Sequence, residues 1–277
     1  MNTSRKLGRG AAIGATVTLL TSALAATALA SGGTPHHTAT AKPTVVLVHG
    51  AFADSSSWNG VIKRLQRDGY PVVAPANPLR GLASDAAYLK SVLKSVKGPI
   101  VLAGHSYGGS VISQAAADVD QVKALVYIAG FIPDVGENAL ELSGKFPGST
   151  LGETLNPVTF PLADGTTGTD LYIKQDKYRA QFAADVPASD AAVFAATQRP
   201  VATAALEERA TKAAWKSIPS YALLAKSDKN IPVAAERWMA ERAGARTVQV
   251  DASHAVTVSR PGAVTDLIQS AARTVRN

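Results

Sequence analysis

Cysteine is absent from the 277-residue sequence, which excludes a disulfide scaffold, thiolate metal ligands and a cysteine nucleophile. Aromatic residues make up only 6% of the chain, and no basic cluster is interleaved with them, so the sequence does not indicate nucleic-acid binding. Charged residues are also scarce, at 18%, whereas apolar residues reach 46%. This balance excludes a chain that is disordered throughout and supplies enough apolar surface for one large α/β domain.

The first 30 residues contain three basic residues and no acidic one, and residues 11–30 are uncharged. A basic start, a weakly apolar Ala-rich stretch and the small-residue end Ala-Leu-Ala predict a signal peptide that is cleaved after Ala30. The alternative is a membrane anchor, because twenty uncharged residues could span a bilayer. The formal net charge of +7 falls to +4 without this segment. We therefore expect an exported protein whose mature chain begins with a flexible linker over residues 31–43.

Short apolar runs alternate with helical patterns in two parts of the chain. The runs predict buried strands at residues 44–48, 71–74, 100–103, 124–129, 221–225 and 247–250. The helical patterns lie at residues 56–67, 84–97, 108–119, 234–243 and 263–273. This order predicts an α/β fold with a doubly wound, mostly parallel sheet of about six strands.

The alternation stops between about residues 131 and 212. Within that stretch, the segments 158–162 and 169–173 flank Asp164-Gly165, which predicts a small hairpin, and short Ala-rich helical patterns follow. The sequence therefore predicts one α/β domain over residues 44–277, with a lid inserted at about residues 131–212.

A nucleophile elbow is indicated by Gly104-His105-Ser106-Tyr107-Gly108, directly after the third predicted strand and at the start of a helix. The pattern Gly-X-Ser-X-Gly places a serine on a tight strand-to-helix turn, where the helix N-terminus favours developing negative charge. The pattern alone is weak, but the buried strand before it and the helix after it supply the required context. Ser106 is therefore the candidate nucleophile.

A general base and an orienting acid should follow the serine in the order Ser, acid, His. His254 is the one histidine of the sequence after the elbow, four residues beyond the last predicted strand, and is the candidate base. Asp228 follows the strand at 221–225 and is the candidate acid, which would orient and stabilise the protonated imidazole. Asp134, after the fourth strand, and Asp251, just before His254, are the alternatives.

An oxyanion hole needs two aligned N–H donors. The first candidate is the backbone of Tyr107, the residue after the nucleophile. We expect the second from the loop after the first strand, at Ala51, with Phe52 as the alternative. His49, which begins that loop, is expected to brace it by hydrogen bonding.

Six segments carry a family resemblance: Val48-His49-Gly50-Ala51, Gly104-His105-Ser106, Phe131-Ile132-Pro133-Asp134, Arg199-Pro200, Asp228-Lys229-Asn230-Ile231-Pro232 and Arg237-Trp238-Met239. With them, the chain resembles the α/β-hydrolase fold family over residues 44–275. It looks most like the branch of plant methylesterases and hydroxynitrile lyases and their secreted actinobacterial hydrolase relatives. The resemblance implies Ser106, Asp228 and His254 as the triad and independently prefers Asp228 to Asp134 as the acid.

The sequence departs from the resemblance in two places. Hydroxynitrile lyases of this branch carry a threonine where this chain has Gly50 and a lysine where it has Ala255, so the departures argue against cyanohydrin cleavage. Dehalogenases and epoxide hydrolases of the fold place aspartate at the elbow, so Ser106 argues against both.

The predicted function is an exported serine hydrolase acting on small to medium apolar esters. The prediction includes no cofactor, no metal, no nucleic-acid partner and no stable membrane anchor. Lactone hydrolysis, C–C hydrolysis and perhydrolysis on the same triad are the enzymatic alternatives. A non-catalytic binding module is the alternative from a different class, because fold alone does not fix function.

Overall fold

The computed structural model describes residues 41–275, so the predicted signal peptide and most of the predicted linker lie outside the described residues. Within them the strands are β1 Thr44–Val48, β2 Val72–Val73, β3 Ile100–His105, β4 Val122–Ile128, β5 Leu155–Pro161, β6 Thr167–Ile173, β7 Val201–Ala202, β8 Ser220–Ala225 and β9 Arg246–Val250. The helices are α1 Asn59–Arg67, α2 Leu82–Ser95, α3 Tyr107–Ala115, α4 Ala139–Ser143, α5 Leu151–Thr154, α6 Gln175–Phe182, α7 Ala188–Thr197, α8 Thr203–Glu207, α9 Val233–Arg242, α10 Val256–Ser259 and α11 Pro261–Val275.

The main sheet has six strands in the order β2-β1-β3-β4-β8-β9, and every neighbouring pair is parallel. The predicted doubly wound sheet is therefore confirmed. The chain runs outward from β1 to β2 and then crosses to β3 on the other side of β1. The loops after β1 and β3 consequently leave the sheet side by side, at the point where open α/β sheets bind ligands.

Side chains of the central strands alternate between two apolar cores, as a sheet buried on both faces requires. In β1, Val46 and Val48 join the core formed with α2, α3 and α9. Val45 and Leu47 join the core formed with α1 and α11. Within residues 41–275, no helix combines the length and apolarity needed to cross a bilayer.

The segment between β4 and β8, residues 129–219, is called the cap here. It carries a separate antiparallel sheet in the order β5-β6-β7. The predicted hairpin is confirmed: Gly165 adopts a φ of +84° at its turn, and Asp164 Oδ1 accepts hydrogen bonds from Thr166. The third strand, β7, was not predicted, because two residues are too short to give an alternating pattern.

Candidate active site

Ser106 lies in the turn between β3 and α3 with φ 55° and ψ −125°, a conformation that costs a non-glycine residue energy. Three backbone hydrogen bonds hold the turn: Ser106 N–H donates to Ile128 O at 3.2 Å, and Ser106 O accepts from Gly109 at 2.9 Å and Phe131 at 3.1 Å. A Cβ on Gly104 would lie 2.5 Å from the carbonyl oxygen of Gly108, so this turn closes only with glycine there. The surrounding backbone therefore presents the serine in a strained turn.

His254 and Asp228 are brought together by the loops after β9 and β8. His254 Nδ1 lies 2.5 Å from Asp228 Oδ2, and both side chains are fully buried. The other carboxylate oxygen of Asp228 accepts the backbone N–H groups of Asn230, at 2.7 Å, and Ile231, at 3.0 Å. These contacts fix the carboxylate, which in turn orients the imidazole with Nδ1 toward it.

The second ring nitrogen of His254 is buried and, among residues 41–275, has no hydrogen-bond partner. Among these described residues, no hydrogen bond is found between His254 Nε2 and Ser106. The two residues are nevertheless neighbours through His105, whose Nε2 donates to the backbone oxygen of His254 at 2.9 Å. Burial and, to a smaller extent, the nearby His254 lower the pKa of His105 to about 3, so His105 stays neutral.

The cap contacts the loop that carries His254 through the residue before it and the residue after it. Ala255 N–H donates to Phe182 O at 2.9 Å, and Ser253 Oγ donates to Asp185 Oδ1 at 2.5 Å. The Phe182 ring packs edge-on against the imidazole, with centroids 4.9 Å apart. The position of His254 therefore depends on α6 and the residues that follow it.

The two alternative acids are paired with lysines. Asp134 lies 2.6 Å from Lys216 Nζ, and Asp251 lies 3.2 Å from Lys226 Nζ with its side chain 82% exposed. Although partial burial opposes ionisation of Asp134, Lys216 holds the pKa of this carboxyl below its ordinary value. The structure thus gives His254 a carboxylate partner in Asp228.

The loop after β1 approaches the elbow very closely. A Cβ on Gly50 would lie 2.6 Å from Ser106 Cβ and 2.7 Å from His105 O. Phe52 has a φ of +61° and donates its N–H to Arg199 O at 2.9 Å. That amide is therefore already engaged with the cap. For Ala51, by contrast, no backbone N–H partner is found among the described residues.

Tyr107 is anchored by its side chain rather than by its amide. Its hydroxyl donates to the buried Asp85 at 3.0 Å, and Asp85 also accepts the N–H of Arg80. Burial raises the pKa of Tyr107, which keeps the phenol protonated and able to donate. This bond fixes the first turn of α3, and with it the direction of the Tyr107 N–H.

His49 braces the same loop, as expected. Its Nε2 accepts the N–H of Asn77 at 2.9 Å, while its Nδ1 lies 2.9 Å from Gly50 O. Asn77 returns a bond from its side-chain amide to His49 O. Burial lowers the pKa of His49, so the ring is neutral and can accept from one nitrogen while donating from the other.

A cavity of about 120 Å³ opens onto Ser106. Core residues at its floor are Ala51, Phe52 and Tyr107. Its apolar walls come mainly from the cap, with Phe131, Ala139, Leu140, Leu151, Leu155, Leu171 and Leu206, together with Ile231. Ser143 and Ser149 also line it, but both donate to the backbone oxygen of Asn230. The cavity therefore offers an apolar surface to a ligand that reaches Ser106.

Two buried acids, Asp85 and Glu236, are not predicted from the sequence. Glu236 is only 1% exposed and lies on the face of α9 that also buries Ala235, Met239 and Ala240. A glutamate that falls among apolar residues at the spacing i, i+3, i+4 is the signal that could have identified it. The contacts of Phe182 and Asp185 gave no such signal, because they join segments about 70 residues apart in sequence.

Comparison with known proteins agrees with this architecture. A family model described as the alpha/beta hydrolase family matches residues 45–267. An alpha/beta hydrolase of Aspergillus novofumigatus is 28% identical over 256 residues, covering 83% of this chain and 97% of the relative. A pyrethroid hydrolase of Sphingobium wenxiniae is 27% identical over 248 residues, covering 81% and 85%.

Solved structures show the same fold. Polyneuridine aldehyde esterase superposes with a TM-score of 0.73 at 18% identity, covering 83% of this chain and 98% of the other. An extracellular alpha/beta-hydrolase from a Paenibacillus species gives a TM-score of 0.66 at 22% identity, covering 83% and 98%. At such identities the likeness concerns the fold alone. Because the family model spans most of the described sheet as well as the cap, the chain belongs to the α/β-hydrolase family.

Proposed function

We propose that this protein hydrolyses carboxylic esters, with Ser106 as nucleophile, His254 as general base and Asp228 as the orienting acid. The buried hydrogen bond between His254 Nδ1 and Asp228 carries the proposal. It places the Nδ1 proton on the carboxylate side, which leaves the Nε2 lone pair to accept a proton. The unpartnered, buried Nε2 is consistent with that role.

The proposed reaction proceeds through an acyl-enzyme. Ser106 Oγ forms a bond to the ester carbonyl carbon while its proton passes to His254 Nε2, and Asp228 stabilises the resulting imidazolium. The tetrahedral intermediate then expels the alcohol, which takes the proton from His254. In the second half, a water gives its proton to His254 and attacks the acyl carbon, and Ser106 leaves with that proton as the carboxylic acid is released.

The oxyanion is proposed to accept the N–H groups of Tyr107 and Ala51. Tyr107 begins α3, where backbone N–H groups have no partner within the helix. Ala51 is preferred to Phe52, because the amide of Phe52 donates to Arg199 O. Two such fixed donors stabilise charge that develops only in the transition state.

The proposed substrates are neutral esters with small to medium apolar groups. The leucine-rich walls of the cavity support this choice, because they offer no charge to an ionic substrate. The modest volume of the cavity favours small to medium groups. The names of the relatives point the same way, because they include a pyrethroid hydrolase and a carbendazim hydrolyzing esterase.

We also propose that the protein is exported and that the mature chain begins near Ser31. The charge pattern of residues 1–30 supports this, and one structural relative is itself extracellular. N-terminal sequencing of the protein from a secreting host should find Ser31 or a near neighbour first. Recovery of the full-length chain in the membrane pellet would instead identify residues 11–30 as an anchor.

Replacement of the nucleophile tests the proposal most directly. Ser106→Ala should lower kcat for p-nitrophenyl butyrate by about 10³-fold or more, because the attacking oxygen is gone. Ser110→Ala is the matched control: it lies one turn along the same helix, and its buried hydroxyl has no hydrogen-bond partner within residues 41–275. Turnover by Ser106→Ala within tenfold of the parent would refute the assignment.

Cyanohydrin cleavage is the related reaction that the site disfavours. The space beside Gly50 is filled by Ser106 and His105, so no side chain is available there to hold a cyanohydrin hydroxyl. Ala255 likewise provides no ammonium for departing cyanide. We expect hydrolysis of p-nitrophenyl acetate and no cleavage of mandelonitrile above the buffer rate. Mandelonitrile cleavage without esterase activity would reverse this conclusion.

A further inference from the structure

Glu236 is a buried carboxyl group that the proposed reaction does not use. Its Oε2 accepts the N–H of Ala225 at 2.9 Å. Ala225 ends β8 two residues beyond Leu223, the last residue of that strand that pairs with β4. Glu236 therefore supplies the acceptor that the neighbouring strand no longer provides.

The same residue, Ala225, connects Glu236 to Asp228. Asp228 N–H donates to Ala225 O at 3.2 Å, so both acids are attached to the backbone of Ala225. The second oxygen of Glu236, Oε1, is buried and has no hydrogen-bond partner among residues 41–275. An ionised carboxylate with one unpartnered buried oxygen beside a second carboxylate is a costly arrangement.

The surrounding charges favour the neutral acid. Burial raises the pKa of Glu236 well above its ordinary value, and the adjacent Asp228 raises it further. Arg237 opposes these effects only weakly, and its guanidinium donates to Gln249. On the β9 side, Asp251 is paired with Lys226 and is exposed. A neutral Glu236 carries a hydroxyl hydrogen that must find an acceptor, and the Asp228 carboxylate is the acceptor beside it.

We infer that Glu236 is a protonated acid whose Oε1–H donates to Asp228, making it a positioning residue for the His254–Asp228 pair. This inference rests on the proposed function only for its effect on catalysis. Asp228 then receives bonds from His254, Asn230, Ile231 and Glu236, which matches the four lone-pair positions of a carboxylate.

The effect on the base has a definite sign. Each neutral donor to Asp228 draws electron density from the carboxylate, so the carboxylate stabilises the His254 imidazolium less. Loss of the Glu236 donor should therefore make His254 protonate at a higher pH. An ionised Glu236 would act oppositely, because removing a second negative charge would make His254 protonate at a lower pH.

The protonation state can be measured without any assay of activity. Infrared difference spectra of the full chain at pH 7, parent minus Glu236→Gln, should contain the C=O stretch of a protonated carboxylic acid. Glu241→Gln, the same change on an exposed position of the same helix, should show only a carboxylate difference. Absence of the protonated band from the Glu236→Gln spectrum would overturn the inference, whatever the enzyme hydrolyses.

The pH dependence of kcat/KM tests the effect on His254. Glu236→Gln keeps an acceptor for Ala225 N–H and a weaker donor for Asp228, whereas Glu236→Met removes both. We expect the acid limb of kcat/KM to move to slightly higher pH in Glu236→Gln and by about half to one pH unit in Glu236→Met. At pH values below the limb, Glu236→Met should therefore lose about three- to tenfold in kcat/KM. A merely structural role would lower stability without moving the limb. A shift of the acid limb to lower pH in either variant, or an unshifted acid limb in Glu236→Met, would overturn the inference. If Glu236→Met does not fold, the sign of the shift in Glu236→Gln decides.

Discussion

The end of the parallel sheet and the cap differ in the chemistry they bring to the cavity. The sheet end carries all three histidines of the described residues and three buried acids, Asp85, Asp228 and Glu236. The cap has no histidine, and its acids at 134, 137 and 141 form exposed or partly buried ion pairs with Lys216, Arg242 and Arg209. The proposed reactive groups therefore lie after strands that packing fixes, whereas the cap contributes the apolar wall.

Asp134 shows where the boundary between these regions falls. Like Asp228, it follows a strand of the main sheet. Asp228 is buried against a histidine, while Asp134 lies at the start of the cap beside Lys216. Position after a strand is therefore not enough to identify a catalytic acid, since the environment of the carboxylate differs completely between the two.

Among the substitutions that test the difference between the sheet end and the cap, removal of the Asp228 charge should have the largest effect. Asp228→Asn should lower kcat for p-nitrophenyl butyrate by roughly 10²- to 10⁴-fold, because the amide no longer stabilises the imidazolium or selects its tautomer. KM should stay within about threefold. Asp251→Asn, the same change on an exposed aspartate near the same sheet end, is the control. A loss smaller than tenfold in Asp228→Asn would remove the distinction between the regions.

Buried imidazoles at the sheet end should also make stability depend on pH. The folded-state pKa of His105 is about 3, below its ordinary 6.5, so the unfolded chain takes up the proton first as pH falls. The stability that this histidine contributes is present above pH 6.5 and declines below it. His105→Gln should reduce the decline between pH 6.5 and about 4.5 by up to about 3 kcal/mol, measured by urea unfolding. His49 should account for part of the remainder. Identical pH slopes in parent and variant would contradict the neutral ring.

Changes in the cap wall should alter substrate preference more than the chemical step. Leu171→Ala enlarges the cavity, so kcat/KM for p-nitrophenyl hexanoate relative to acetate should rise by about tenfold. The kcat for acetate should stay within about threefold. Leu162→Ala, on an exposed residue at the tip of the same hairpin, should change neither value. Equal hundredfold losses of kcat on both esters would show that the cap takes part in the chemistry.

The smallest effect is expected where the two regions meet. Asp134→Asn should leave kcat and KM within about threefold, because the exposed pair with Lys216 contributes little. The same assay as for Asp228→Asn measures it. If Asp134→Asn were the more damaging of the two substitutions, the acid would belong after β4.

Much of the fold was predictable because the sheet is buried on both faces. Strands β1 and β3 are recognisable from the apolar runs at residues 44–48 and 100–103, and Gly69 and Gly98 end the helices that precede β2 and β3. The short strand β7 was missed because two residues carry no periodicity. The positions of Ser106, His254 and Asp228 came from their order after strands, which a parallel sheet converts into proximity.

The parts that could not be predicted depend on contacts between distant segments. The bond from Phe52 N–H to Arg199 O is decided by how the cap folds back on the sheet. The burial of Glu236 depends on where β4 ends relative to β8, which no local pattern records. Such features follow from tertiary packing, and sequence patterns register only the residues that make them possible.

The bond from Ala255 to Phe182 has a consequence for how the molecule opens. Because this amide donates to the last residue of α6, local unfolding that releases α6 also removes one of the bonds that hold the loop carrying His254. The opening of this part of the cap is then coupled to the loop that carries His254. The hydrogen-exchange protection of the Ala255 amide accordingly reports how often this contact between α6 and the His254 loop opens.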